Sequence, residues 1–211
     1  MTIELYGFNT PNGRKASILL EELEAPYNAH LINILKGDQH KPEFLKISPN
    51  NKIPAIVDPD GPNGEPISIF ESGAILIYLA DKYGRFLSKD PAQRSNTLQW
   101  LFWQVGSVGP MLGQAGHFVR FAKEDLPYAK KRYMDETRRL LGVLDRQLDA
   151  TGGWLAGPEM TIADIATAPW IAGLEFYGVA DELEPFSNVT AWLETFRARP
   201  GVQRGWDADY S

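Results

Sequence analysis

A change of rhythm at Gly84 constrains this chain more than any other feature. Up to that residue, strand-like alternation and helical spacing follow one another as strand, helix, strand, then strand, strand, helix. Residues 3–6 alternate, with Ile3 and Leu5 on one side. Ala16, Leu19, Leu20 and Leu23 then recur at helical spacing and stop before Pro26, and residues 31–35 read as the second strand. A crossover of this kind makes the two strands parallel. Residues 53–57 form the next strand, with a proline near its start. Gly61-Pro62-Asn63-Gly64 supplies a hairpin loop into residues 67–70, and Glu71-Ser72-Gly73 opens an apolar helix over 74–83 that Gly84 ends.

Beyond Gly84 the strand pattern does not return. Residues 85–91 read as a linker, and helices are predicted over 92–114, 127–148, 162–174 and 189–199. The expectation is therefore an α/β domain over 1–84 followed by an all-helical domain over 92–211. The tail over 201–211 carries no motif.

Composition narrows the function. With a net charge of -6 and no basic run, the chain does not suit a nucleic-acid partner. No stretch approaches the roughly 18 apolar residues of a membrane span. Met1-Thr2-Ile3-Glu4 lacks the basic stretch and apolar core of a secretory signal, so a cytoplasmic enzyme is expected. The absence of cysteine excludes a disulfide framework, a thiolate nucleophile and a zinc-thiolate site. His30, His40 and His117 are too scattered to suggest a metal centre.

Three short segments could carry chemistry. Thr10-Pro11-Asn12-Gly13 lies where the first strand meets the first helix. A helix N-terminus has unpaired N–H groups and about half a positive charge, so it favours an anion. Thr and Asn there can assist that anion or merely cap the helix. Ile53-Pro54 places a proline at a strand start, where a ladder donor is lost. A cis bond would free the backbone of Ile53 for an extended peptide, but only about 5–6% of X-Pro bonds are cis. Taken alone, these two residues favour trans. At Glu71-Ser72, a carboxylate beside a second helix start could receive an α-amino acid, amine on Glu71 and carboxylate on the helix. Ser72 reads as the N-cap, and capping beside a solvated charge is the simpler alternative.

Taken together, the segments resemble the glutathione transferase superfamily. Residues 48–58, Ser-Pro-Asn-Asn-Lys-Ile-Pro-Ala-Ile-Val-Asp, look like its third-strand motif, and Phe70-Glu71-Ser72-Gly73-Ala74-Ile75 like its γ-glutamyl site. Thr161-Ile162-Ala163-Asp164-Ile165-Ala166 is similar to the capping box of its helical domain, with Thr161 capping and Asp164 reaching back. Asn9-Thr10-Pro11-Asn12-Gly13 and residues 99–106 resemble the bacterial Nu class, whose members are glutathione-dependent disulfide-bond oxidoreductases. The likeness runs from Ile3 to about Pro200.

The resemblance implies a thioredoxin-like N-terminal domain, an all-α C-terminal domain and glutathione as co-substrate, with no metal. It places the glutathione sulfur near Thr10 and Asn12, and pairs the cysteinyl backbone with Ile53 across a cis Pro54. The γ-glutamyl end falls to Glu71 and Ser72, the glycyl carboxylate to Gln39 and Lys52. Arg132 of the helical domain also reaches the site, or belongs with Lys130 and Lys131 to a solvated basic helix. A homodimer is the family expectation. The implied activity is thiol-disulfide exchange on a small disulfide, consuming glutathione and releasing glutathione disulfide, with weak peroxidase or transferase activity beside it. The alternatives are conjugation of glutathione to electrophiles and a non-catalytic glutathione-binding regulator.

Other residues carry less. Tyr6 lies inside the first strand rather than the turn beyond it and reads as strand packing. Gly106, Gly109, Gly113 and Gly116 could share a helical face that admits a domain cleft or a partner subunit, though Pro110 equally suggests a kink. Trp100, Phe102, Trp103 and Phe118 wall a substrate pocket or pack a core. Glu21, Glu22 and Glu24 read as a solvated helix face.

Overall fold

A computed structural model describes residues 2–210. The chain forms two compact units: Met1–Arg85 together with Ala198–Ser211, and Phe86–Arg197. The first contains β1 (Ile3–Gly7), α1 (Pro11–Glu22), β2 (Tyr27–Leu31), α2 (Pro42–Leu45), β3 (Ala55–Asp58), β4 (Ile67–Phe70) and α3 (Ser72–Tyr83). Its four strands lie in the order β2-β1-β3-β4. β1 runs parallel to β2 and antiparallel to β3, which pairs antiparallel with β4. The succession of elements is the one the sequence rhythm predicts, and the sheet is the thioredoxin-like one that the resemblance implies. Ile3 and Leu5 of β1, Ile18 and Leu19 of α1, Ile56 of β3 and Ile75 and Leu79 of α3 are fully buried and make the core.

The second strand is displaced from its predicted place. β2 occupies Tyr27–Leu31 rather than 31–35, and Leu35 is 84% exposed. β2 is an edge strand whose Asn28 and His30 are held to Glu4 of β1, the former at 2.9 Å. Backbone pairing to β1, rather than apolar alternation, defines it.

The second unit is helical: α4 (Pro91–Trp103), α5 (Gly109–Gly116), α6 (Pro127–Thr151), α7 (Ile162–Tyr177) and α8 (Ser187–Arg197). Wide π-type turns over Gln104–Val108 and His117–Phe121 flank α5. The capping box is present. Thr161 accepts from Ala163 N–H at 3.3 Å, and Asp164 accepts from Thr161 N–H at 2.9 Å. Asp164 is fully buried and also accepts from Leu155 N–H at 2.9 Å and Trp192 Nε1–H at 3.1 Å. Burial pushes its carboxyl up, and these donors hold it against that.

Three of the four spaced glycines pack against α7, whereas a Cβ on Gly106 would meet open space. A Cβ on Gly116 would stand 2.3 Å from the Tyr177 ring, and Gly109 and Gly113 lie against Trp170. What approaches closely is α7.

Residues from Ala198 onward, counted above with the helical domain, instead join the first unit. They form α9 (Pro200–Trp206), which lies on α1. Glu22 is buried and takes a bidentate pair from Arg199 at 2.6 and 2.9 Å; Glu21 accepts from Arg204 at 2.6 Å. Glu21 and Glu22, predicted to be solvated, therefore dock the chain's own tail, while Glu24 is exposed as expected. Among the described residues no helix is long and apolar enough to cross a membrane.

Candidate functional site

The turn between β1 and α1 is built by three residues. Thr10 is extended, and its Oγ1 accepts from Gly13 N–H at 3.1 Å, so it caps α1; Pro11 opens the helix, where a missing N–H costs nothing. Gly13 is obligatory, because a Cβ there would lie 2.0 Å from the Phe8 carbonyl oxygen. The cap uses one lone pair of the Thr10 hydroxyl. Its proton faces the Phe8 carbonyl at 3.5 Å, a long contact that holds it weakly. Thr10 and Asn12 are both partly exposed at the head of α1, where N–H groups lack helical partners. Capping and anion binding are thus compatible at Thr10.

The second segment carries a cis Ile53–Pro54 bond. Ladder pairing of β3 begins at Ala55, so Ile53 lies before the paired strand. The loop ahead of it is pinned by Ser48, fully buried, whose Oγ donates to the Lys52 carbonyl at 2.8 Å. The Lys52 side chain is exposed. Asn51 contacts His40 Nδ1 at 3.0 Å, and His40 Nε2 contacts the Gln39 amide at 3.3 Å. Gln39 Oε1 is shielded and has no hydrogen-bond partner among the described residues.

The third segment departs from the predicted cap. Glu71, not Ser72, precedes α3, and Ser72 is its first residue. Glu71 has φ 70° and ψ 115°, a left-handed conformation that costs a non-glycine residue about 1–3 kcal/mol. Its exposed carboxylate accepts from Asn50 Nδ2 at 3.2 Å. That bond joins the loop before Pro54 to the head of α3. Gln39, Lys52, Ile53, Glu71 and Ser72 are therefore tied into one region of the first unit.

One residue of this region escapes sequence reasoning. Lys15, in the second turn of α1, is 2% exposed, and its Nζ donates to Ser72 Oγ at 3.3 Å. Burial pulls its ammonium down to about 7, while the charge of Glu71 works to raise it. The only signal in the sequence is position: Lys15 shares a helical face with Ile18 and Leu19.

Tyr6 packs within the sheet, its ring stacked on His30 at 4.7 Å. Burial pushes its hydroxyl above the ordinary range, with the charge of Glu4 adding to this.

Arg132 belongs to α6 in the second unit. It lines a cavity of about 630 Å³ with Met111, Tyr128, Tyr133, Glu136 and Arg139. Its neighbours Lys130 and Lys131 are bound to Asp125 at 2.7 Å and Asp135 at 2.5 Å. Of the aromatic residues, Trp100 and Trp103 meet edge to face at 5.2 Å, Phe118 stacks on Tyr133 at 5.4 Å, and Phe102 is 61% exposed.

Comparison with known proteins places this geometry. Residues 5–90 match the glutathione S-transferase N-terminal domain, and residues 110–200 match the C-terminal domain. The chain is 50% identical over 203 residues to the disulfide-bond oxidoreductase YfcG of Escherichia coli (strain K12), covering 95% of this chain and 92% of that protein. It is 43% identical over 214 residues to the disulfide-bond oxidoreductase YghU of the same strain, covering 96% and 73%. A crystal structure of a glutathione transferase from Pseudomonas putida, with one glutathione disulfide bound per subunit, superposes with a TM-score of 0.95 at 48% identity, covering 98% of this chain and 91% of that one. The chain belongs to the glutathione S-transferase family.

Proposed function

We propose that this protein is a Nu-class, glutathione-dependent disulfide-bond reductase in which glutathione supplies the reacting sulfur. The observation that carries this reading is the Thr10 hydroxyl, engaged as a cap through a lone pair while its proton is only loosely held at 3.5 Å. That proton is available to a thiolate at the head of α1, in a chain with no cysteine of its own. A free thiol titrates near pH 8.5, so only a few per cent is ionised at neutrality. A helix N-terminus and a hydroxyl donor stabilise the thiolate and raise its concentration.

In this account Thr10 and Asn12 hold the sulfur, Ile53 pairs with the cysteinyl backbone, and Glu71 and Ser72 take the γ-glutamyl end. Gln39 and Lys52 take the glycyl carboxylate. The bound thiolate attacks one sulfur of a substrate disulfide. A glutathione–substrate disulfide forms, and the other substrate thiolate leaves and takes up a proton. A second glutathione thiolate attacks the glutathione sulfur of that mixed disulfide, releasing the remaining substrate thiol and glutathione disulfide. Two glutathiones are oxidised for each disulfide reduced. Both steps consume reduced glutathione, which fits a cytoplasmic enzyme, and a homodimer is the working assembly.

Steady-state assays with glutathione and either hydroxyethyl disulfide or an aryl halide test the reading. Turnover of the disulfide well above that of the halide is expected. Preference for the halide would make the protein a conjugating transferase, and glutathione binding without turnover of either would make it a regulator.

A further inference from the structure

Lys15 presents a problem that the chemistry above leaves unused. A lysine is rarely enclosed to 2% exposure, because removing an ammonium from water is costly unless something compensates. Its Nζ lies 3.3 Å from Ser72 Oγ. An ammonium has donors and no lone pair, so the serine oxygen is the acceptor and the hydroxyl's own proton must point elsewhere. Ser72 is the first residue of α3, whose leading N–H groups have no partner within the helix. A hydroxyl proton turned away from Lys15 joins those groups as a donor to an anion. One residue earlier, Glu71 supplies the negative charge that acts on Lys15.

We propose that Lys15 is a positioning residue for the α-amino-acid end of glutathione, orienting the Ser72 hydroxyl as a donor to the ligand's carboxylate and placing a buried positive charge behind that anion. The inference rests on the reading of Glu71 and Ser72 as the γ-glutamyl site. Lys15 acts through Ser72 and does not touch the ligand. With glutathione in place, protonated Lys15 and Glu71 balance the ligand's carboxylate and ammonium, and the incoming carboxylate favours that protonated form.

The test is Lys15→Met in the full chain, assayed for disulfide reduction at varied glutathione. The glutathione KM and Kd should rise roughly tenfold or more, while kcat at saturating glutathione stays within about twofold. Lys15→Met combined with Ser72→Ala should bind no worse than Ser72→Ala alone, because the two act as one unit. Lys15→Gln, which keeps a donor without the charge, should fall between wild type and Lys15→Met and serves if the methionine variant fails to fold. Glutathione binding unchanged in both Lys15 variants, while Ser72→Ala weakens it, would overturn the role of Lys15 and leave the site standing. Unchanged binding in Ser72→Ala and Glu71→Gln would overturn the site itself.

Discussion

Thr10 combines two duties that pull a substitution in different directions. As an N-cap it contributes about 1 kcal/mol to α1; as a hydroxyl at the helix head it is the proposed donor to sulfur. Thr10→Ala is expected to lower kcat for disulfide reduction at least about tenfold with little change in glutathione affinity, whereas Thr10→Ser retains both cap and donor and keeps most of the activity. Equal turnover in wild type and Thr10→Ala would remove Thr10 from the chemistry. Lys15 makes a second residue-scale expectation. Its folded pKa of about 7 lies below the ordinary value near 10.5, so between these values the unfolded chain holds a proton that the folded chain lacks. Stability therefore rises with pH across that window, by up to about 1.4 kcal/mol per unit, and the cost of burial is constant below it. Urea midpoints of wild type relative to Lys15→Met should climb as pH is raised from about 7 to 9; a flat difference would mean that Lys15 ionises normally. Turn, proline and cap chemistry are local, so Thr10, Ile53-Pro54 and Glu71-Ser72 stood out as candidates. Taken alone they read as caps and a trans bond, and only the family resemblance joined them into a site. Lys15 stayed hidden because its significance lies in a contact with a residue 57 positions away.

At the scale of elements, the tail helix shows where local pattern runs out. Glu21 and Glu22 look like any charged helix face until Arg204 and Arg199 arrive from the far end of the chain. α9 comes close enough to α1 that a Cβ on Gly205 would stand 2.5 Å from the Ile18 Cα, and Ser17 Oγ donates to the Gly205 carbonyl at 2.6 Å. Gly205→Val meets backbone rather than a movable side chain, so it should cost about 2 kcal/mol or more in urea unfolding. A midpoint within error of wild type would show that the helices separate without loss. β2 was misplaced for a related reason: as a half-polar edge strand it is specified by its neighbour, whereas β1, α1, β3, β4 and α3 announce themselves through their own periodicity. The capping box of α7 was legible because Thr161 and Asp164 stand at fixed spacing. Its wider role was not, since Leu155 and Trp192 reach Asp164 only in the fold. Asp164→Ala strands these buried donors and should destabilise by about 3–5 kcal/mol, read from the thermal or urea transition.

For the whole molecule, the proposed function comes to one idea: in a chain with no cysteine, the reacting sulfur arrives with the ligand and the protein supplies the field that ionises it. The proposed donors of that field, Thr10 and the head of α1, lie in the α/β unit that the C-terminal helix completes. Titrating the thiol of bound glutathione by its ultraviolet thiolate absorbance measures the claim directly. In wild type the midpoint should fall at least about one pH unit below the solution value near 8.5, and Thr10→Ala should move it back toward that value. A bound thiol that titrates as it does in water would contradict the account.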